Sequence, residues 1–268
     1  TNIGEAHIEF FGTRDGILKE KSDIFKYIGE SGRAIVNGDD DKLCTLRGKL
    51  KNVLTYGLNA DNDIRGESVK DMGLEGMSFD IVYGGGRITA TIPSPGIHMV
   101  MNSLCAAAVG LTLGIEPELI KQGIESYAPV EGRMQIIKTQ RLTLLDDSFN
   151  ANPTSMAAAI NIACRASGRT VLILGDMLEL GEKGAEYHRN MGKKAVECGA
   201  DIMIGKGPLM KNACEETERA GIETMHFDTS EDIMRALDNC LRDGDTVLVK
   251  ASHGTNLKDV AEYIKANF

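Results

Sequence analysis

The sequence predicts an α/β protein in two parts, and three observations carry the expectation. From Leu142 onward, apolar strand-like runs (LTLLDD, TVLILGD, DIMIGK, TMHFD and TVLVKA) alternate with helical segments near 153–166, 182–198, 208–220, 230–242 and 257–266. Such alternation, with strands apolar throughout, implies a largely parallel sheet covered on both faces. Between Asp63 and Ile92, by contrast, Gly-punctuated runs such as MSFDIVY and RITATI alternate in character and predict an antiparallel meander. The two regimes are separated by YAPVEGRMQ, where Pro, Gly and a charge pair read as a linker, dividing the chain into residues 1–130 and 131–268.

Along the chain, TNIGEAHIEFFG has no initiator Met and starts as though within a strand-to-loop transition, so a piece of a longer protein is expected. Residues 15–29 fit one helix with Ile17, Leu18, Lys21, Ile24, Phe25 and Ile28 on a shared face. Ala34–Asn37 reads as a short buried strand ending in the polar turn NGDDD, and Asn52–Tyr56 as another. GGGR at 84–87 is a hairpin turn inside the meander. After PSPG comes a long apolar helix, His98–Leu113, and a second near Pro117–Ser126.

Composition narrows the function. At 268 residues the chain is long enough for two ordinary domains, and 42% hydrophobic with 26% charged residues is the balance of a globular protein. A net charge of -9 with no Lys/Arg cluster argues against nucleic-acid binding. Six cysteines without CxxC spacing fall mostly in Ala-rich helical segments, which favours buried free thiols over disulfides or zinc ligands. With no membrane span and no signal peptide, a cytoplasmic protein is expected.

The chemistry concentrates where strands end. LLDDSFNANPTSM, Leu144–Met156, is a buried strand followed by Asp146 and Asp147, then Asn150 and Asn152, then a Pro-started helix. In open α/β sheets ligands bind at the carboxyl ends of strands, so these side chains are displayed there, although Asx turns and an N-cap account for part of the pattern. VLVKASHG brings Lys250, Ser252 and His253 to the same edge, and VLILGDMLELGE brings Asp176 and Glu179, unless these are only polar loops capping the next helix. Lys21 either snorkels or, if partly buried, has a lowered pKa and can react with carbon dioxide to form an anionic carbamate. His7, between Glu5 and Glu9, is either a divalent-metal ligand or half of a surface ion pair. Asn37 at a strand end can pair with a base edge. His98 and Asn102, one helical turn apart, can stack on and fix a purine, or be an ordinary helix-start His and buried Asn. No G-x-x-x-x-G-K-[ST] phosphate loop is present.

Taken together, TNIGEAHIEFFG, LKEKSDIF, VNGDDD, PGIHMVMNSLCAAAVGLTLGI, APVEGRMQ, LLDDSFNANPTSM, LILGDMLELGE with His188 downstream, and VLVKASHG resemble the Mur ligases of peptidoglycan synthesis, in family order over essentially the whole chain. The resemblance implies that residues 1–130 are the C-terminal half of the central ATPase domain, with helices and mixed or antiparallel strands. Residues 131–268 would then be the Rossmann-like C-terminal domain. The N-terminal domain and phosphate loop would lie upstream, and this piece alone is expected to be inactive.

The resemblance further implies ATP and Mg²⁺ as cofactors. The pair DDSFNANP and GDMLELGE points to the member joining D-alanyl-D-alanine to UDP-N-acetylmuramoyl-tripeptide through an acyl phosphate. It implies a cytoplasmic monomer serving cell wall biogenesis, cell shape and cell division. His7 matches a magnesium ligand and Lys21 a lysine carbamylated in many members, itself a metal-side and catalytic group. Asn37, His98 and Asn102 match the adenine pocket. Arg133 and Asp147 match residues reaching ATP on domain closure. Asn150, Asn152, Lys250 and Ser252 match positions where dipeptide and acyl phosphate meet, with Asp147, Asn150 and Lys250 as catalytic candidates. Met99 departs from a common Asn, and His253 from a common Arg, which removes a fixed cation there. Another ligase of the superfamily, folylpolyglutamate synthase-like or a different Mur enzyme, is the neighbouring alternative. A non-catalytic nucleotide-binding module is the alternative from another class.

Overall fold

A computed structural model describes all 268 residues, which separate into two compact units. The first holds residues 1–4 and 11–128, the second residues 5–10 and 129–268.

The first unit is built on a five-stranded sheet in the order β1-β2-β3-β4-β5, with β1 (Ala34–Asn37), β2 (Val53–Gly57), β3 (Ile64–Asp71), β4 (Met77–Tyr83) and β5 (Gly86–Ile92). Strands β1, β2 and β3 are parallel, and β3, β4 and β5 form the expected antiparallel meander. The long helix α3 (Ile97–Thr112) lies on this sheet because its Val100, Leu104, Ala107 and Ala108 form one apolar stripe that closes over Tyr56, Phe79 and Ile81. Helix α4 (Pro117–Glu125) follows and adds Ile120 and Ile124 to the same core.

Two expectations for the first 30 residues fail. No strand opens the chain: residues 1–4 belong to no helix or strand, and the short helix α1 (Ile8–Phe11) follows a turn in which His7 has φ 63°. The single helix over 15–29 is instead α2 (Arg14–Ser22), capped by Thr13, running into a 3₁₀ turn over Asp23–Tyr27. Tightening to three residues per turn throws Ile24 and Tyr27 out to solvent, and Ile17 alone of the predicted face is fully buried. Lys21 is exposed, its Nζ donating to the carbonyl of Asn2 at 3.3 Å, so the partial burial that would favour a carbamate is not found.

The second unit carries a six-stranded sheet in the order β10-β9-β8-β11-β7-β6. Its strands are β6 (Gln135–Lys138), β7 (Thr143–Asp147), β8 (Thr170–Gly175), β9 (Ile202–Lys206), β10 (Glu223–Phe227) and β11 (Thr246–Lys250). All pairings are parallel except β6 with β7, an edge strand missed in the sequence because QIIK is short, half-buried and follows the linker. Helices α5 (Pro153–Arg165), α6 (Gly184–Cys198), α7 (Lys211–Arg219), α8 (Ser230–Cys240) and α9 (Lys258–Asn267) complete the βαβ series. Strands β8 and β11 are buried along their whole length, as expected of the apolar run TVLILG and of TVLV before Lys250. At the base, the Arg169 guanidinium donates to both oxygens of the buried Asp245, raising its own pKa and tying the start of β8 to that of β11. All six cysteines are free. Cys214 and Cys240 are buried and the rest half-buried, with burial pushing the Cys214 thiol up to about 12. No helix is long and apolar enough to cross a membrane.

Candidate active site

Strands β7, β11 and β8 are neighbours in the second sheet and run the same way, so the loops leaving their carboxyl ends emerge side by side. Those loops, with the segment around His7, enclose a pocket of about 200 Å³. Asn150, Ala151 and Asn152 come from the first loop, Leu178 and Glu179 from the second, Ser252, His253 and Gly254 from the third, and Ala6 and His7 complete the wall.

Each loop is fixed by polar groups that the fold buries. Lys250, only 2% exposed, donates from Nζ to Asp147 Oδ2 at 2.6 Å and to the Asn150 carbonyl at 2.9 Å. Burial pushes the Lys250 pKa down, and the Asp147 carboxylate opposes that shift. Asp147 Oδ1 accepts from the Met134 amide at 3.0 Å, so one carboxylate ties linker, strand end and loop together. The expectation that Lys250 is displayed at the edge is therefore corrected: it lies beneath the loop and supports it. Ser252 is also buried, its Oγ accepting from the Leu178 amide at 2.9 Å and so joining the second loop to the third. Asp146, fully buried, is held by Ser148 and by Lys265 of α9 at 2.8 Å.

Asn152 caps α5: its Oδ1 accepts from the Ser155 amide at 2.9 Å and Ser155 Oγ accepts from the Asn152 amide at 3.1 Å, a reciprocal capping box. Asn150 Oδ1 accepts from the Ala151 amide. Both side chains thus spend their oxygen on the backbone and retain the Nδ2 amide as a donor. Asn152→Ala is expected to lower stability by about 1 kcal/mol, measured by urea unfolding, because the cap is lost.

The second loop rests on two buried groups. Asp176 accepts from the amides of Leu209 and Met210. His188, fully buried on α6, accepts at Nε2 from the Met177 amide at 2.8 Å and donates from Nδ1 to the Gly184 carbonyl at 2.7 Å. Burial lowers the His188 pKa below 6.5, against the opposing Gly184 bond and Asp176 charge. The folded state therefore takes up this proton later than the unfolded chain as pH falls. Stability from His188 is complete above pH 6.5 and is lost below it, down to the depressed folded value, by at most about 1.4 kcal/mol per pH unit. Denaturant titrations between pH 7.5 and 5.5 should show this slope, and His188→Gln should flatten it. Sequence reasoning matched His188 without a role, yet its place on the face with Met191 and Ala195 marks it as a core histidine.

The remaining residues are distributed as follows. Arg133 is exposed, with its guanidinium 4.0 Å from the Phe149 ring centroid, and Phe149 in turn lies 5.7 Å from the His253 ring. This stack was not foreseen. In the first unit, Asn37 ends β1 with Oδ1 accepting from the Asp39 amide. His98 and Asn102 lie one turn apart at the start of α3, both exposed, which excludes the reading of Asn102 as an ordinary buried residue. Lys21 also belongs to this unit, whereas His7 packs with the second.

The His7 imidazole contacts a carboxylate, but through Nδ1 to Glu179 Oε2 and not to its neighbours Glu5 or Glu9. No group of three His, Cys, Asp or Glu side chains surrounds it. One imidazole–carboxylate pair is not a divalent-cation site by itself, since magnesium demands near-octahedral oxygen coordination.

A sheet whose parallel strand ends form a polar pocket, preceded by a mixed sheet under a long apolar helix, matches one known architecture. The Mur ligase middle-domain model matches residues 1–110, and the model described as "Mur ligase, glutamate ligase domain" matches residues 132–253. The chain belongs to the Mur ligase family. Among its relatives, the UDP-N-acetylmuramoyl-tripeptide–D-alanyl-D-alanine ligase of Bacillus subtilis is 33% identical over 98% of this chain and 57% of its own length. The enzyme of that name in Escherichia coli is 30% identical over 99% of this chain and 59% of its own. The crystal structure of MurF from Acinetobacter baumannii superposes with a TM-score of 0.89 at 27% identity, covering 99% of this chain and 58% of that one. MurF ligase from Thermotoga maritima in complex with ADP, at 24% identity and a TM-score of 0.84 over 99% of this chain and 60% of that one, shares the fold. The chain thus spans a little under three fifths of the relatives it matches.

Proposed function

We propose that these two domains serve an ATP-dependent amide ligase that joins D-alanyl-D-alanine to UDP-N-acetylmuramoyl-tripeptide in peptidoglycan precursor synthesis. The observation that carries the reading is the pocket at the carboxyl ends of β7, β8 and β11, whose walls are the DDSFNANP, GDMLELGE and KASHG loops. ATP, when bound, supplies the phosphoryl group that turns the tripeptide carboxylate into an acyl phosphate. On this reading residues 1–130 hold the nucleotide, with Asn37 addressing the adenine edge and His98 and Asn102 its face, all three at one strand end or one helix start. Residues 131–268 receive the dipeptide amine, with Asn150 and Asn152 donating from their amides and Ser252, Asp147 and Lys250 holding the loops that carry them. Arg133 is the residue proposed to reach the nucleotide from the second domain. Lys21 keeps its catalytic assignment, and His7 its metal-side one, only through the resemblance. The protein is proposed to act as a cytoplasmic monomer without nucleic-acid or membrane partners.

Holding reactants together supplies much of the rate, because a dilute amine must meet a short-lived acyl phosphate before water does. The test is ligation by the full-length protein, with UDP-N-acetylmuramoyl-tripeptide, ATP and one amine at a time. D-alanyl-D-alanine is expected to give product with equimolar phosphate release. Preference for D-glutamate, diaminopimelate or L-glutamate would assign a different ligase of the family, and no ATP turnover with any of them would overturn the enzyme reading.

A further inference from the structure

We infer that Glu179 is the anion that recognises the ammonium group of the incoming dipeptide and sets which of its ends faces the reaction, an assignment that rests on the ligase reading above. Among the ten residues lining the pocket, Glu179 is the one carboxylate. It is half-exposed, and its Oε2 meets His7, which leaves Oε1 without a bond inside the chain. Its backbone is held in the left-handed region at φ 62°, which for a glutamate costs free energy and persists only where neighbours enforce it. Here they do: the Glu179 carbonyl accepts from the Glu9 amide at 3.3 Å, and the preceding Leu178 amide is bound to Ser252. His7, across the pocket contact, is itself at φ 63°. Of the six non-glycine residues with positive φ in the chain, two therefore face one another in this pocket, and both conformations turn a polar side chain into it.

The rest of the wall matches the remainder of a small zwitterion. Ala6, Ala151 and Leu178 give short apolar surface suited to methyl side chains, and the Nδ2 amides of Asn150 and Asn152 are donors suited to a carboxylate. The pocket volume of about 200 Å³ is below the roughly 300–1,000 Å³ of sites for drug-sized ligands, which suits a dipeptide of alanines. With a single carboxylate and two amide donors on its wall, the pocket offers complementary groups to both charged ends of a dipeptide, its amine toward Glu179.

The assignment is tested in the full-length enzyme with Glu179→Gln and Glu179→Asp. Glu179→Gln should raise KM for D-alanyl-D-alanine by roughly tenfold to a hundredfold, the loss of one charge-assisted hydrogen bond, with KM for ATP and for the UDP-tripeptide unchanged. Glu179→Asp should recover part of it. D-lactyl-D-alanine, which lacks the ammonium, should inhibit the wild type poorly and the Gln variant as well as D-alanyl-D-alanine binds it. An unchanged dipeptide KM, or a shift in magnesium dependence in its place, would overturn the assignment while leaving the ligase reading intact. A wild type that turns over other amines but not D-alanyl-D-alanine would overturn both.

Discussion

Lys250→Met is expected to destabilise the second unit by about 3–5 kcal/mol and to lower its melting temperature by on the order of 10 °C. The reason is asymmetry. The wild-type ammonium is buried and its pKa is pushed down by desolvation, so the charge is held there by Asp147 and by the Asn150 carbonyl. Removing it takes the buried ammonium away from the Asp147 carboxylate, itself only 16% exposed, and from the Asn150 carbonyl. The loop over Asn150–Asn152 then loses its support, and ligation by the full-length protein should fall with it. Adding Asp147→Asn to Lys250→Met should restore a large part of the stability, because the carboxylate charge that faced the ammonium is gone and the side-chain oxygen can still accept from the Met134 amide. Ligation should not recover in parallel, since the loop tether to Asn150 is still missing. If the double variant were no more stable than the single one, the buried-charge explanation would be wrong. Calorimetry of the three proteins decides between these outcomes.

The second large effect is expected at Gly207. Its φ of 100° lies where L side chains are strained, and an added Cβ would come 2.6 to 2.7 Å from all three atoms of the Asp176 carboxyl group. That carboxylate is buried and accepts from the Leu209 and Met210 amides, while the Asp176 carbonyl accepts from the Ser252 amide. It cannot retreat without giving up those bonds. Gly207→Ala is therefore expected to cost about 1–3 kcal/mol for the backbone and a further 1–3 kcal/mol for the displaced, partly unpaired carboxylate. Because Asp176 begins the loop that carries Glu179, KM for the dipeptide should rise as well. A melting temperature within 2 °C or so of wild type would contradict the strain argument.

The second sheet was legible because its strands are buried on both faces, and a run such as TVLILG has no other soluble use. The long helix α3 was equally plain from its apolar stripe. What escaped was which partners the side chains find and how the local helix geometry tightens. Lys250 looks like a polar residue past a strand end until Asp147, 103 residues away, is found beneath the same loop. Asn152 reads as either a ligand group or part of an N-cap, and the reciprocal bonds with Ser155 show it to be the cap. Ile24, Phe25 and Ile28 recur at helical spacing, and nothing in that spacing discloses that the helix tightens at Asp23, exposing Ile24 and leaving Phe25 and Ile28 half-buried. His7 was expected to meet its neighbours Glu5 or Glu9, but a positive φ turns it to Glu179. The three loops do come together at one sheet edge, as the strand ends led one to expect, whereas which side chains support them (Lys250, Ser252 and His188) and which line the pocket (Asn150 and Glu179) required coordinates.

Hydrogen exchange on the full-length protein, with UDP-tripeptide and a non-hydrolysable ATP analogue present and D-alanyl-D-alanine added last, tests most directly whether the second unit receives the dipeptide. Slowed exchange confined to the loops around Ala151, Leu178–Glu179 and Gly254 is the expected result. Protection that appears only in residues 11–128, with those three loops unchanged, would contradict it.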